Sequence, residues 1–309
     1  YYVSAAYLDR DSLLWAFPAI LTVDAAYARE ILTYVFTRQA RNFGVHSRFI
    51  DGTMLEPGFE LDELCAPVIA LDRYVEKTGD TAFAARPFVR DGLEEILRRM
   101  EAKKHPSVPM YETFLQPTDD MHNHIYLTYD NALVCYALRA LAKLLNRPEL
   151  AEEAERTRRA VYKHCVKEQN GRPFFAWSVD LNGHFDIYDE PPGSLLLLPF
   201  YGFCEENDPI WQTTAAMIRD ESYPLSFAGH PIAEIGCKHA PHPWILSICN
   251  SLLSGHADSA LLHLSRTPLD NGVACESVNE DTGLCETGEA FATCAGFLSY
   301  ALYCACCKD

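Results

Sequence analysis

ELCAPVIALDRYVEKTGD, residues 63–80, and YDNALVCYALRALAKLLNR, residues 129–147, carry the pattern that decides the fold. In both stretches apolar residues recur every three or four positions, which is the spacing of one face of an α-helix. Each stretch also ends in a short turn that leads into another helical segment. The shared pattern predicts long helices joined in pairs by short turns.

The same spacing covers most of the chain, while strict apolar–polar alternation is rare, so strands should be few. Asp24 and Asp80 are suited to begin helices as N-caps, and Gly79 is suited to end one. Eleven helices are predicted, at residues 11–21, 24–42, 59–78, 81–102, 123–145, 148–168, 194–204, 208–220, 243–253, 257–264 and 287–304.

Short loops between these helices alternate with long ones such as FGVHSRFIDGTMLEPG (residues 43–58) and HPSVPMYETFLQPTDDMHN (residues 105–123). This alternation is typical of an all-α helical toroid, the (α/α)6 barrel, with function expected among the long loops. That barrel needs twelve helices, and the chain begins with Tyr1 rather than Met, so we expect an N-terminal portion to precede it. No linker or composition shift interrupts residues 1–309, which predicts a single catalytic domain.

Composition narrows the possible partners. The 309 residues include 26 Lys and Arg against 43 Asp and Glu, a net charge of −17, which disfavours binding to nucleic acid or to anionic membrane surfaces. No apolar run is long enough for a transmembrane helix, so we expect a soluble protein. Most of the 12 cysteines lie in apolar runs, as buried free thiols do, which favours a reducing, cytoplasmic location. The sequence leaves the oligomeric state open.

Two polar clusters flank predicted helices near the N-terminus. Arg10 and Asp11, followed by Trp15, are suited to hold sugar hydroxyls and to offer a ring face, although an N-cap with a salt bridge explains the charges equally well. Glu60 and Asp62 precede the apolar helix of residues 63–80, where the helix dipole alone favours acidic residues.

Two further clusters carry candidate acids and bases. In LQPTDDMHNHIY the adjacent Asp119 and Asp120 point in different directions, so one can cap a helix while the other faces a cavity. Glu276 lies in an apolar stretch, VACES, and a buried carboxylate in a cleft is a candidate functional group.

The stretch IGCKHAPHPW offers a competing interpretation. Cys237, His239 and His242 are spaced within reach of one zinc ion, but the spacing matches no recognised zinc pattern. The prolines and Trp244 fit a loop that lines a sugar site equally well. No nucleotide-binding glycine motif and no GxSxG elbow is present, so the sequence offers no local support for nucleotide binding or serine hydrolysis. No full set of metal ligands is recognisable either, and the sequence predicts neither a cofactor nor a metal.

Taken in order, these motifs resemble those of the metal-independent exo-α-1,6-mannosidases, which are inverting (α/α)6-barrel glycoside hydrolases. The similar segments are RDS at 10–12, ELDELCAPV at 60–68, TGD at 78–80, QPTDD at 116–120, the stretch 189–203, IGCKHA at 235–240 and CESV at 275–278. They span nearly the whole chain. More distantly, DRDSLLWAFPAI and LDRYVEKTGD resemble the glucosidase half of glycogen debranching enzymes.

The resemblance implies an oligosaccharide or glycan substrate and two catalytic carboxylates. One of Asp119 and Asp120, with Asp119 the first choice, would be the general acid, and Glu276 the general base. Two other classes stay open: a sugar epimerase that uses His122, His124, His239 or His242, and a non-catalytic carbohydrate-binding toroid. The resemblance further implies that sugar hydroxyls are held by Arg10, Asp11, Glu60, Asp62 and His239, with Trp15 and Trp244 as stacking faces.

Overall fold

The computed structural model describes residues 6–307, and helices dominate them. A π-helical segment, Arg10–Ala16, comes first. The α-helices are α1 Phe17–Val23, α2 Ala25–Thr37, α3 Leu61–Thr78, α4 Thr81–Ala84, α5 Pro87–Glu101, α6 Thr128–Leu144, α7 Glu149–Cys165, α8 Pro209–Ile218, α9 Ile245–Leu253, α10 Ala257–Ser265 and α11 Ala292–Cys306. Short 3₁₀ turns are Gln39–Asn42, Pro191–Gly193 and Leu195–Leu197.

Within residues 6–307, nine short strands lie in the loops between the helices. They pair antiparallel in small sheets of order β1–β2, β3–β6–β7, β4–β5 and β8–β9. The strands are β1 Val45–Arg48, β2 Met54–Phe59, β3 Tyr126–Leu127, β4 Val166–Gln169, β5 Arg172–Phe175, β6 Ser178–Val179, β7 Phe185–Asp186, β8 Ser277–Val278 and β9 Cys285–Thr287.

The helices form a closed double ring, as the sequence predicted. The inner ring runs from the π-helical segment to α3 and α6, then through the 3₁₀ turns to α9 and α11, and α11 packs back on the π-helical segment. Inner helix α3 is buried on nearly every side from Leu61 to Tyr74, whereas α5 and α7 bury one face only and belong to the outer layer. The (α/α)6 toroid is confirmed.

Local chemistry explains where the predicted helix ends were right. Asp24 accepts a hydrogen bond from the Tyr27 backbone N–H at 2.9 Å, and Asp80 accepts one from the Phe83 backbone N–H at 3.0 Å, so both cap helices. Gly79 ends α3 with φ of 71°, a left-handed conformation that glycine adopts at little cost.

Prolines explain where the predicted helices were wrong. The predicted helix 194–204 is only a 3₁₀ turn followed by irregular turns, because Pro199 lacks an N–H and Gly202 takes a φ of 65°. The predicted helix 81–102 is split, because Pro87 forces Arg86 into an extended conformation and begins α5.

Among residues 6–307, none of the helices combines the length and hydrophobicity needed to cross a bilayer.

The ring closes through a very close helix contact. A Cβ placed on Gly296 of α11 would lie 2.9 Å from the Cα of Ala16, at the end of the π-helical segment. Only glycine allows α11 to approach the backbone there. The contact therefore fixes the position of the segment that carries Arg10, Asp11 and Trp15.

We predict that Gly296→Ala destabilises the protein by about 1–2 kcal/mol, measured by urea unfolding. Helix propensity alone would favour alanine by up to about 1 kcal/mol, but the added methyl meets backbone that cannot move aside, and overpacking costs about 1–3 kcal/mol. Ser299→Ala, on the exposed side of the same helix, is the control and should change stability by less than about 0.5 kcal/mol. A more stable Gly296→Ala protein would show that the contact does not constrain the ring.

Candidate active site

A cavity of about 150 Å³ lies where the long loops meet the π-helical segment. Its walls come from stretches far apart in the sequence. Seven of the ten residues predicted for the site line it: Arg10, Asp11, Trp15, Asp119, His239, Trp244 and Glu276.

The other three predicted residues lie next to the cavity rather than on its wall. Glu60 and Asp62, at the beginning of α3, are buried behind Arg10. Asp120 is half-exposed, and its Oδ2 lies 2.8 Å from Nδ1 of His239. Glu60 and Asp62 are thus placed to hold Arg10, while Asp120 is placed to hold His239.

Arg10 is the centre of the site's electrostatics. Its Nη1 donates to Glu60 at 2.7 Å and to Asp62 at 2.9 Å, and its Nη2 donates to Asp119. Burial disfavours the charged guanidinium, but the surrounding carboxylates, Asp62 foremost, raise the pKa of Arg10 well above its usual value. Arg10 therefore stays charged and orients Asp119.

A second buried arginine, Arg48, helps to fix the beginning of the π-helical segment through Asp9 and Glu63. The Nη2 of Arg48 donates to Asp9 at 2.6 Å and to Glu63 at 3.2 Å, and all three side chains are fully buried. Glu63 in turn accepts the backbone N–H groups of Asp9 and Arg10 at 2.5 and 2.9 Å. The Glu63 carboxylate thus accepts hydrogen bonds from backbone N–H groups of the first turn, which have no partner within the helix.

The turn that carries Asp119 is held just as tightly. Glu190 is fully buried and accepts from the backbone N–H and the hydroxyl of Thr118 at 2.9 and 2.8 Å. Burial raises the pKa of Glu190 well above its usual range, although the bonds from Thr118 oppose the shift. Asp119 follows with a φ of 65°, an uncommon conformation for a residue with a side chain. Such strained positions cluster at functional sites.

Glu276 is positioned by a hairpin. It precedes β8, and its backbone C=O accepts the N–H of Ile245 at 3.0 Å, which ties it to the beginning of α9. Its Oε2 accepts the hydroxyl of Thr287 on β9 at 2.6 Å. The carboxylate is 7% exposed, so it reaches the cavity while being largely withdrawn from solvent.

Aromatic rings complete the walls. Trp15 meets Phe291 edge to face with ring centroids 6.0 Å apart, and Trp244 meets His239 with centroids 5.6 Å apart. Ring faces beside carboxylates and hydrogen-bond donors suit a sugar, which has apolar C–H faces and polar hydroxyls.

Sequence reasoning missed part of the wall. His46 and Ser47 on β1 line the cavity beside Asp119. Nδ1 of His46 lies 3.5 Å from Oδ1 of Asp119 and within bonding distance of Glu60. Burial opposes protonation, but the hydrogen bond that His46 donates to the Glu60 carboxylate raises the pKa of His46. The sequence feature that could have identified these residues was their position in the long loop of residues 43–58.

Metal binding fits this site poorly. His46, Glu60 and Asp119 put ligand atoms within 4.8 Å of one another, but the Arg10 guanidinium already donates to both carboxylates. A cation fixed between the ligands repels a second one. The alternative set of Cys237, His239 and His242 is not assembled, because the structure of residues 6–307 does not bring their ligand atoms within 4.8 Å of one another.

Known structures share this architecture. A metal-independent α-mannosidase from Streptococcus pneumoniae, in a non-productive complex with α-1,6-mannobiose, superposes with a TM-score of 0.82 at 18% identity over 97% of this chain and 86% of that one. A bacterial glucoamylase complexed with acarbose gives 0.73 at 16% identity over 97% of this chain and 48% of that one. A GH78 family rhamnosidase of Bacillus sp. GL1 gives 0.61 at 14% identity, over 94% of this chain and 31% of that one.

These likenesses establish the fold, and the sequence itself establishes the family. No curated protein matches the sequence significantly. The family model described as metal-independent alpha-mannosidase (GH125) matches residues 106–299, a range that includes Asp119, His239 and Glu276. Because that match covers more than half of the chain, the protein belongs to the metal-independent α-mannosidase family and is a glycoside hydrolase of the mannosidase type.

Proposed function

We propose that the protein is an inverting, exo-acting α-mannosidase that cleaves α-1,6-linked mannose from an oligosaccharide or glycan. One observation supports this most: Asp119 and Glu276, from separate loops, line the same cavity. An inverting hydrolase needs one carboxylic acid to protonate the leaving oxygen and one carboxylate to activate water, roughly 6.5–9.5 Å apart. Because the cavity is small, it favours binding of the end of a glycan over binding of a glycan that passes through the site.

Glu276 suits the role of general base. The Thr287 hydroxyl donates to one of its oxygens at 2.6 Å, which fixes the orientation of the carboxylate. The oriented carboxylate is then available to take a proton from the attacking water. No step in this scheme requires a metal.

The acid is assigned to the turn of Asp119 and Asp120, with Asp119 the first choice because it lines the cavity. Arg10 and His46 both lie against Asp119 and orient its carboxyl beside the cavity. Asp120 is the alternative, and its contact with His239 offers a direct path for a proton.

The rival reactions have weaker support. An epimerase needs histidine acids and bases in the cavity, but His122 and His124 do not line it, and His46 and His239 both face carboxylates. An α-glucosidase related to glycogen debranching enzymes shares the fold and differs only in the sugar. Aryl α-mannosides, aryl α-glucosides and α-1,6-linked mannobiose, tested side by side, separate these activities by the sugar released.

We predict that hydrolysis of an α-mannoside first yields the β-anomer, because single displacement inverts the anomeric centre. Glu276→Gln should lower kcat for every substrate by about 10²–10⁴-fold, since it keeps the size of the side chain but removes the base. Proton NMR of the first product and steady-state kinetics are the measurements. Glu286→Gln, an exposed glutamate on the same hairpin, is the matched control. An initial α-anomer, or unaffected turnover in Glu276→Gln, would refute the mechanism.

A second prediction identifies the acid. The variant that lacks it, Asp119→Asn or Asp120→Asn, should lose about 10²–10⁴-fold in kcat/KM on α-1,6-mannobiose but far less on dinitrophenyl α-mannoside. The dinitrophenolate leaves without protonation, so only the natural linkage needs the acid. If both variants lose the same factor on both substrates, neither residue is the acid.

Asp11 gives the site a pH-dependent stability. Burial raises its pKa from 3.8 to about 7, with the nearby Asp119 charge adding to the shift and Arg10 opposing it. A raised native pKa means that the folded state favours the protonated form. Stability from this group is therefore full below about pH 4 and is lost as the pH rises towards 7.

We predict that Asp11→Asn removes this loss. Relative to the wild type, the variant should gain about 2–4 kcal/mol of stability between pH 4 and pH 8, since each pKa unit corresponds to about 1.4 kcal/mol. Urea unfolding across that pH range measures it. Asp91→Asn, an exposed aspartate on α5, should show no such trend. A constant difference between Asp11→Asn and wild type at all pH values would mean that Asp11 is ionised normally.

A further inference from the structure

A second cavity, of about 270 Å³, adjoins the candidate active site. Two chain segments separate the two spaces. Gln116 lines the second cavity while Pro117 and Thr118 line the first, and Lys238 lines the second while His239 lines the first. The Asp120–His239 contact, 2.8 Å long, bridges these segments. We name this second space the Lys238 cavity.

Its position places it on the leaving-group side of the reaction. The general acid must contact the oxygen of the departing sugar, so that sugar lies beside the turn of Asp119 and Asp120. The same turn, continued to Met121, forms part of the wall of the Lys238 cavity. The Asp120–His239 pair between the two spaces is itself exposed, at 41% and 40%, so a glycan that extends beyond the departing sugar can cross over this pair into the Lys238 cavity.

The lining has the mixed character of a sugar site. Met121 and Ile187 are 66% and 47% exposed, so apolar surface faces the opening. Asn123 and Asp186 add polar groups, joined by a hydrogen bond of 3.0 Å. Such a mixture suits the C–H faces and hydroxyls of a sugar ring.

Lys238 is the cavity's unused donor. Its ammonium lies over the ring of Tyr188, 4.9 Å from the centroid, and within residues 6–307 no carboxylate lies within ion-pair distance of it. Tyr188 is fixed by Trp177, whose ring meets it edge to face at 5.5 Å. Trp177 also donates through Nε1 to Gln116 at 3.2 Å, so both walls are preorganised before a ligand arrives.

A larger space continues from the Lys238 cavity. A cavity of about 1220 Å³ along α8 and β5 shares Ile187, Tyr188, Tyr223 and Pro224 with it. These two spaces are therefore neighbours with a common wall.

We propose that the Lys238 cavity binds the second sugar of the departing glycan, the residue beyond the one attached to the scissile bond. Lys238 donates hydrogen bonds to its hydroxyls, and Tyr188 with Met121 contacts its C–H face. The enzyme thus selects oligosaccharides of three or more residues over disaccharides. This inference rests on the proposed function, because it takes the departing sugar to lie beside Asp119 and Asp120.

The test compares α-1,6-linked mannotriose with mannobiose. We expect kcat/KM of the wild type to be about tenfold higher for the trisaccharide, and Lys238→Ala to lose most of that ratio, since a hydrogen bond from a charged donor contributes at least about this factor. Lys167→Ala is the matched control: its ammonium also lies over an aromatic ring, Phe185, at 5.4 Å, but it lines neither cavity. It should keep the wild-type ratio.

A binding measurement separates this inference from the proposed reaction. Calorimetric titration of mannotriose and mannobiose into Glu276→Gln, with and without Lys238→Ala, needs no turnover. If Lys238→Ala weakens binding of the trisaccharide but not of the disaccharide, the result supports sugar binding in the Lys238 cavity. That support holds even if the protein hydrolyses no mannoside, because a lack of hydrolysis would refute only the proposed function. Equal affinities for the two sugars, or an equal loss for both, would overturn the inference.

Discussion

The Arg10 guanidinium, held among three carboxylates, is the constraint on which the site depends. It lies on the π-helical segment, contacts Glu60 and Asp62 at the beginning of α3, and reaches Asp119 on a loop more than a hundred residues away in sequence. π-Helical turns are uncommon and tend to occur at functional sites. Here the wider turn places Arg10, Asp11 and Trp15 on the same cavity wall.

Burying these charged groups costs free energy, which their mutual contacts offset. Taking charges out of water costs several kcal/mol per ion, so a buried ion pair is weak evidence of net stabilisation. What it provides is specificity of position, because removal of Arg10 would leave buried carboxylates uncompensated at a cost of about 3–5 kcal/mol. Burial raises the pKa values of Glu60 and Glu63, with the arginines acting in the opposite direction. The charge balance beneath the site thus depends on Arg10 and Arg48 together.

The turn of residues 116–120 serves two neighbouring spaces. Glu190 clamps it through Thr118, and a Cβ on Gly193 would lie 2.4 Å from Pro117, so the turn rests directly on the segment that begins at Pro191. That segment replaces an inner helix of the ring with 3₁₀ turns. The departure from helix brings Glu190 and Pro192 to the turn of residues 116–120, so the irregular part of the toroid lies against the candidate site.

The amino-acid sequence was sufficient to predict the toroid, most helix boundaries and which carboxylates are candidates for the site, because apolar periodicity, caps and short motifs are local signals. Asp80 and Gly79 bound their helices as local rules require, and the motifs around Asp119 and Glu276 pointed to the cavity. The sequence did not predict that Glu60 and Asp62 lie behind Arg10 rather than on the wall, or that His46 and Ser47 belong to the wall. The reason is physical: which face of a long loop meets the cavity depends on contacts between segments far apart in sequence, such as Glu190 with Thr118 and Gly296 with Ala16, and no local pattern encodes these contacts.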